Sequence, residues 1–191
     1  MTISKLKLKY SSLFFIPFIL MLGVFLCLGL TPFSKNSIHS GDFLSQYFPL
    51  YIGLHKMFWN GDFSGLFWSF EKSLGGAMPS VWGFNSLSPF TFLYVLFPIS
   101  SFHVISYIIP LIRFGVMGVV FGYFIEKKYE AVSKRYWLAV GLCTSYALSG
   151  FIISQHYNPN FLDNLVYVPF IFLGIEDVVY GKRSIKLPVF L

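Results

Sequence analysis

The sequence contains few charged residues. Only 12% of its 191 residues are charged, whereas a soluble globular domain carries about 25%. Hydrophobic residues make up 55% of the chain, and 24 Phe, 12 Tyr and 4 Trp give it an aromatic content typical of lipid-facing surfaces. This composition excludes an ordinary soluble domain and predicts an integral membrane protein in contact with the lipid bilayer.

Cysteine is also scarce. The two cysteines, Cys27 and Cys143, each lie inside a hydrophobic run. Two such residues do not form a disulfide framework, and neither has the spacing of metal ligands. We therefore expect small apolar packing residues, with no metal and no cofactor.

Several catalytic and binding motifs are missing from the sequence. It has no Gly-rich phosphate loop, no zinc-protease helix motif and no nucleophile elbow, so an ATP-driven or hydrolytic function has no support. The 14 Lys and Arg residues are divided among segments that hydrophobic runs separate. That separation argues against nucleic acid as a partner and is typical of membrane topology signals.

Long apolar runs predict the fold class, an all-α integral membrane protein built as a polytopic helical bundle. Because a crossing takes about 20 apolar residues, we expect four crossings, at residues 11–30, 101–125, 137–155 and 161–180. The run at residues 87–97 is too short to cross and is predicted to be re-entrant or interfacial. Residues 31–86 form a long outer loop with interfacial helices. We treat residues 1–191 as a single membrane domain.

Basic residues orient these crossings. Clusters lie before the first run, at residues 127–135 and at residues 182–186. With the amino terminus in the cytoplasm, four crossings return all three clusters to the cytoplasmic side of the membrane. A new apolar run begins at residues 187–191, which predicts that the sequence is the amino-terminal part of a longer protein.

The outer loop carries an aromatic stripe. Phe43, Tyr47, Tyr51, Leu54 and Phe58 follow helical spacing, which predicts an amphipathic helix lying at the membrane surface. In that helix Ser45, His55 and Lys56 fall on other faces. The outer tryptophans are typical of the headgroup zone, and they are Trp59, Trp68 and Trp82.

Small residues recur at four-residue spacing inside the later runs. Gly118 and Gly122 form one such ladder, and Gly141, Ser145 and Ser149 form another. In lipid, ladders of this kind let helices approach closely. They predict helix packing and carry no information about chemistry.

Asp42 is the candidate catalytic residue. A carboxylate just after the first crossing can act as a general base toward a hydroxyl held at the membrane's outer edge. Gln46 lies four residues further on, shares a helical face with Asp42, and could bind a sugar or phosphate oxygen. The structural alternative is that Asp42 caps a helix beginning near Phe43.

Arg113 is a cation inside the second predicted crossing. Such a residue needs a partner because an unpaired charge in hydrocarbon is unfavourable. The partner could be a lipid-linked phosphate, or it could be Glu176 or Asp163 on the fourth crossing. Pro110 would bend the helix and could open a pocket beside Arg113.

His156 belongs to a second polar group on the outer side. It lies in a short turn at residues 155–160, and Asp163 follows that turn. The topology places this turn on the same side of the membrane as Asp42. Substrate binding by His156 and Asp163 is one interpretation, and solvated surface residues are the other.

The order of several motifs resembles YfhO-type bacterial membrane proteins. The residues that carry the resemblance are Asp42-x3-Gln46-Tyr47-x-Pro49, Gly61-Asp62-Phe63, Trp68-Ser69-Phe70, Gly75-Gly76, Leu87-Ser88-Pro89-Phe90, Arg113, and His156 with Leu162-Asp163 before Pro169. The similarity runs from about residue 10 to the end of the sequence. The family is several times longer and has more crossings and an outer domain.

The resemblance implies a glycosyltransferase of the GT-C type. Such an enzyme takes a sugar from a polyprenyl-phosphate donor outside the cytoplasmic membrane and transfers it to a cell-envelope polymer such as lipoteichoic acid. An acidic residue in the first outer loop is catalytic in GT-C enzymes, and Asp42 occupies that position. Gln46, Arg113, His156 and Asp163 are the candidate substrate-binding residues. This chain corresponds to the amino-terminal module alone, for which we do not expect independent activity.

Two other classes of function remain open from the sequence. In a transporter fragment, Arg113 and Asp163 would line a substrate path in the middle of the membrane. In a non-catalytic membrane scaffold, the aromatic outer loop would dock a partner and Asp42 would tolerate substitution by Asn.

Overall fold

Helices dominate the fold. The computed structural model describes residues 3–34, 38, 41–70, 75–85 and 88–182. The helices, in chain order, are α1 (Ile3–Cys27), α2 (Phe48–Asn60), α3 (Pro79–Asn85), α4 (Phe102–Lys128), α5 (Glu130–Ser133), α6 (Tyr136–Ala147), α7 (Gly150–Ser154) and α8 (Pro159–Val179). A π-helix (Phe43–Tyr47) precedes α2, and short 3₁₀-helices span Ser64–Leu66, Thr91–Leu96 and Ile99–Ser101. Two-residue strands β1 (Trp68–Ser69) and β2 (Gly76–Ala77) pair antiparallel.

The chain divides into two units. The helical unit comprises residues 1–29, 110–156 and 161–191, and the loop unit comprises residues 30–109 and 157–160. One boundary between them lies inside α4, between Ile109 and Pro110. The proline falls within the continuous helix Phe102–Lys128.

In the helical unit, α4 packs against α1 through glycines. A Cβ atom at Gly118 would collide with the carbonyl oxygen of Leu13, and one at Gly122 would collide with the Leu13 side chain. The absence of side chains at these positions therefore allows the two backbones to approach closely. This contact confirms the packing role predicted for the Gly118–Gly122 ladder.

The second predicted ladder behaves differently. Nothing lies within 4 Å of a Cβ atom built at Gly141. Gly141 and Ser145 are exposed on α6. The prediction that this ladder packs closely is wrong for Gly141, because α6 turns other residues, including Ala139, Cys143 and Ala147, toward the protein.

Within the described residues, three helical stretches are long and apolar enough to cross a membrane. They are Tyr10–Cys27, Ile99–Lys128 and Tyr136–Ser154. The helix α8 matches the fourth predicted run in position and has 21 residues. It is not among the three, and it carries Asp163, Glu176 and Asp177. A fourth crossing therefore stays a prediction.

The bounds of two predicted crossings differ from the helices. The first helix ends at Cys27, three residues earlier than predicted. Gly29 follows it with a left-handed φ of 68°, a conformation that ends helices. The third stretch is two helices, because Ser149 is extended, with φ −63° and ψ 152°, between α6 and α7. Serine favours such helix-starting positions over helix interiors.

In the loop unit, a π-helix leads into α2. Pro49 has no N–H to donate to the carbonyl of Ser45, so regular α-helical bonding cannot continue through it. The N–H of Phe48 instead donates to the carbonyl of Phe43, five residues back. At the other end Gly61, with φ 67°, closes α2.

The short apolar run at residues 87–97 contains the 3₁₀-helix Thr91–Leu96. It packs on α2, with the rings of Tyr94 and Tyr51 4.5 Å apart. The Tyr94 hydroxyl also hydrogen-bonds the Ser106 hydroxyl of α4 at 2.9 Å. Its predicted re-entrant or interfacial position stays a prediction.

Candidate functional site

Asp42 and Gln46 lie on the exposed side of the π-helix. The Gln46 Nε2 atom donates a hydrogen bond to Asp42 Oδ1 over 3.2 Å. The i,i+4 spacing seen in the sequence thus brings the two side chains together, as helical geometry requires. One amide donor orients a carboxylate that remains accessible to a ligand.

The alternative role for Asp42, a helix cap, is wrong. Its side chain makes no capping hydrogen bond to the helix that follows. Its own backbone is already helical, with φ −62° and ψ −25°, whereas a capping residue has non-helical torsion angles. The carboxylate is therefore not engaged in holding the helix end.

A buried aromatic cluster supports the opposite side of this helix. Phe43, Tyr47 and Tyr51 are all buried. The ring of Tyr51 also packs on Tyr94, which lies 5.1 Å from the ring of Phe102. Because bulky rings fix the buried side, the exposed side that carries Asp42 and Gln46 has a rigid support.

The predicted aromatic stripe is buried at four of its five positions, and Phe58 is exposed. The placement of His55 on another face was wrong. His55 is buried, stacked 5.1 Å from Trp59 and edge-on to Phe102. The 100° step of a helix places His55 beside Tyr51 and Leu54, so the stripe is wider than the sequence pattern indicated.

Trp82 differs from the other outer tryptophans. Trp59 and Trp68 are exposed, and the Trp59 N–H donates to the carbonyl of Val95. Trp82 is only 6% exposed and lines a cavity against α2. Its predicted headgroup position stays a prediction. No sequence pattern indicates this cavity, because its wall combines residues from several separate segments between Pro49 and Trp82.

In the helical unit, Arg113 and Asp163 form a buried ion pair. Arg113 Nε lies 2.6 Å from Asp163 Oδ1, and Nη2 lies 3.2 Å from Oδ2. The side chains are 3% and 8% exposed. Of the partners considered for Arg113, the structure thus selects an internal carboxylate, in the bidentate geometry that guanidinium groups favour.

Glu176, the other carboxylate considered for Arg113, pairs with Lys128 instead. This second ion pair links α4 to α8 near the end of both helices. It is partly exposed, with side-chain exposures of 24% and 33%. The two contacts together give α8 two charged attachments to α4.

His156 also belongs to the helical unit. Its Nδ1 atom lies 2.9 Å from the carbonyl oxygen of Ile153, one turn earlier, and its ring is 6.0 Å from that of Phe25. Asp42 and Gln46 belong to the loop unit, whereas Arg113, Asp163 and His156 belong to the helical unit. Four of the five candidates thus form two pairs, and the fifth, His156, contacts the backbone carbonyl of Ile153.

These features define the class of protein. The protein has three apolar stretches of crossing length and a buried ion pair between helices. Together these features are typical of a multi-pass helical membrane protein. The family described as bacterial membrane protein YfhO matches residues 12–191, and the chain belongs to this family. No curated protein and no solved structure matches the sequence.

Proposed function

We propose that this chain is the amino-terminal part of a membrane glycosyltransferase of the GT-C type. It transfers a sugar from a polyprenyl-phosphate donor to a cell-envelope polymer, such as lipoteichoic acid, on the outer face of the bacterial cytoplasmic membrane. The observation that carries the proposal is the exposed Asp42 carboxylate, oriented by Gln46 and supported by buried rings. Membership of the YfhO family supports it.

In this proposal Asp42 acts as the general base. The carboxylate removes the proton from an acceptor hydroxyl, the hydroxyl oxygen attacks the anomeric carbon, and the bond from that carbon to the donor phosphate breaks. The phosphate leaves with its polyprenyl chain. Gln46 holds the carboxylate in one orientation through the 3.2 Å hydrogen bond and offers its amide oxygen to a substrate hydroxyl.

The membrane arrangement belongs to the same proposal. The amino terminus is cytoplasmic, α8 is the fourth crossing, and the loop unit lies outside. The charges on α8 favour this arrangement, because Asp163 and Glu176 are paired with basic residues of α4. Pairing lowers the free energy of placing charged side chains in a membrane helix.

Arg113, Asp163 and His156 are proposed to contribute to donor binding from the helical unit. Since Asp163 already neutralises Arg113, a donor phosphate would share the guanidinium group with that carboxylate.

The test of the function is Asp42→Asn in the native gene. Loss of a general base lowers a rate by about 10²–10⁴-fold, so glycosylation of the envelope polymer should nearly disappear while the protein level in the membrane stays unchanged. Glu130→Gln is the matched control, since Glu130 is an exposed carboxylate in the helical unit. Polymer glycosylation at the wild-type level in Asp42→Asn would refute the proposal.

A transporter is the second candidate, favoured by the buried Arg113–Asp163 pair. Ion pairs within membrane helices often mark substrate paths. A transporter would lose function in Arg113→Lys, a variant that keeps the charge, and would retain it in Asp42→Asn. The glycosyltransferase proposal predicts the opposite result, in which Asp42→Asn loses more function than Arg113→Lys.

A further inference from the structure

The loop unit exposes a cluster of aromatic rings that three segments of the chain bring together. The ring of Phe58, near the end of α2, lies 5.3 Å from that of Phe63 in the following turn. It also lies 6.2 Å from the ring of Phe92, in the 3₁₀-helix Thr91–Leu96. All three residues are between 41% and 46% exposed. Contiguous apolar surface left uncovered in this way marks contact with another protein or with a membrane.

Trp59 extends the cluster. Its indole N–H donates to the carbonyl oxygen of Val95 at 2.9 Å, three residues beyond Phe92, and the residue is 63% exposed. We call Phe58, Trp59, Phe63 and Phe92 the ring patch. None of the four side chains carries a charge. Large rings, together with one indole that keeps a polar N–H, are typical of the boundary between membrane and water.

The ring patch is not the amphipathic stripe predicted from the sequence. Four members of that stripe are buried inside the loop unit, and they are Phe43, Tyr47, Tyr51 and Leu54. Buried side chains do not contact lipid, so the stripe serves as core. Phe58 alone belongs to both sets. The exposed aromatic surface of the ring patch is therefore a product of the tertiary structure.

The length of the second apolar stretch indicates the depth of this surface in the membrane. Ile99–Lys128 has 30 residues. Crossing the hydrocarbon takes about 20 residues, so about ten extend beyond it. The stretch ends in the charged residues Glu126, Lys127 and Lys128, which belong at one membrane boundary. Counting about 20 residues back from Glu126 places the opposite boundary close to Ser106.

Tyr94 holds the ring patch at the level of Ser106. Its hydroxyl hydrogen-bonds the Ser106 hydroxyl at 2.9 Å, and its ring lies 5.1 Å from that of Phe102, one turn earlier in α4. Phe92 belongs to the same short 3₁₀-helix as Tyr94. The ring patch therefore lies close to the boundary between hydrocarbon and headgroups, the depth at which aromatic side chains are most favourable.

We propose that the ring patch inserts into the phospholipid leaflet from which α4 enters the membrane, and that it anchors the loop unit there. Continuity with α4 selects lipid over a second protein, because the segment that carries Phe92 leads directly into a stretch of crossing length. The run at residues 87–97 is then interfacial and not re-entrant. The proposal goes beyond the proposed function, since anchoring requires no transfer reaction.

Spin labels test the depth of the ring patch. In a background with Cys27→Ala and Cys143→Ala, Phe63→Cys, Phe92→Cys and Ser45→Cys are labelled one at a time. The chain is reconstituted in liposomes of phosphatidylglycerol and phosphatidylethanolamine. Oxygen concentrates in lipid, whereas a charged nickel chelate stays in water. The ratio of oxygen to nickel accessibility should be several-fold higher at positions 63 and 92 than at position 45, which is exposed on the π-helix.

A second measurement removes rings without placing a label on them. The label is carried by Leu96→Cys, at an exposed position at the end of the 3₁₀-helix. Combining Phe63→Asn with Phe92→Asn should raise its nickel accessibility several-fold, because the anchor loses apolar surface. Phe70→Asn is the matched control and should leave it unchanged, since Phe70 is an exposed ring that lies beside Gly75 instead. All three substitutions replace exposed side chains, so the fold is kept.

Three results would overturn the proposal. Nickel accessibility at positions 63 and 92 as high as at position 45 would place the ring patch in water. Low accessibility to both oxygen and nickel would show that protein, such as a second copy of the chain, covers the rings. An equal response of the label at position 96 to the double substitution and to Phe70→Asn would show that the ring patch does not anchor the loop unit.

Discussion

Arg113 and Asp163 face each other as a bidentate ion pair, with two N–H donors of the guanidinium group matched to the two carboxylate oxygens at 2.6 and 3.2 Å. The pair joins the middle of α4 to the first part of α8. Because the protein itself neutralises Arg113, a donor phosphate is not required as its counter-ion. A stabilising role for the pair follows directly from this geometry.

Arg113→Leu should destabilise the protein strongly. Removal of one partner leaves the Asp163 charge buried and unpaired, which is unfavourable by about 3–5 kcal/mol. Replacing both residues, as Arg113→Leu with Asp163→Leu, should restore most of the stability because no charge then stays buried. Thermal unfolding in detergent measures both. A double variant no more stable than Arg113→Leu alone would contradict this account.

Gly118→Ala should weaken the packing of α1 on α4. The new methyl group collides with a backbone carbonyl oxygen of Leu13, which cannot rotate away as a side chain can. Overpacking of this kind is unfavourable by about 1–3 kcal/mol. Gly141→Ala, at an open position on α6, is the matched control and should stabilise by about 0.5–1 kcal/mol. Equal melting temperatures for the two variants would contradict the close approach.

Cysteine labelling tests the proposed topology. In a background with Cys27→Ala and Cys143→Ala, an impermeant maleimide added to intact cells should label Ser45→Cys and should not label Glu130→Cys. Both positions are exposed on the protein. Lys182→Cys extends the test to α8, since four crossings place it inside. Labelling of Lys182→Cys in intact cells would exclude the fourth crossing.

Asp62 should give the turn after α2 a specific pH dependence. The hydrogen bond from the Ser64 N–H lowers the pKa of Asp62 below its ordinary value of 3.8. A lowered pKa contributes stability that is present above the ordinary value and is lost as the pH falls through the lowered one. The protection factor of the Ser64 amide against hydrogen exchange should therefore stay constant from neutral pH down to about pH 4.

Two variants of Asp62 differ in whether they keep an acceptor for the Ser64 N–H. Asp62→Asn retains an acceptor for the Ser64 N–H and should keep part of the protection, whereas Asp62→Ala should lose it at every pH. Loss of protection already near neutral pH in the wild type would show that the carboxylate does not hold this turn.

Membrane character and the main helices could be predicted from composition and run length. The first two predicted crossings lie within α1 and α4 except at their ends, because about 20 consecutive apolar residues have few other stable arrangements. The i,i+4 pairing of Asp42 with Gln46 was equally predictable, since it depends only on local helix geometry. Family membership followed from the order of short motifs.

The partner of Arg113, the burial of His55 and the cavity at Trp82 were not predictable in this way. Arg113 and Asp163 are 50 residues apart, and Glu176 satisfied the same sequence argument equally well. Only the packing of α8 on α4 decides which carboxylate meets the guanidinium group.

The amino-acid sequence by itself determined the class of the protein, the position of its long helices and the local pairing at Asp42, because run length and helical periodicity act over neighbouring residues. The tertiary structure decided which charges neutralise each other, which glycines bring α1 and α4 together and where the loop unit encloses a cavity. These features depend on contacts between residues that are distant along the chain, and single-sequence periodicity carries no information about such contacts.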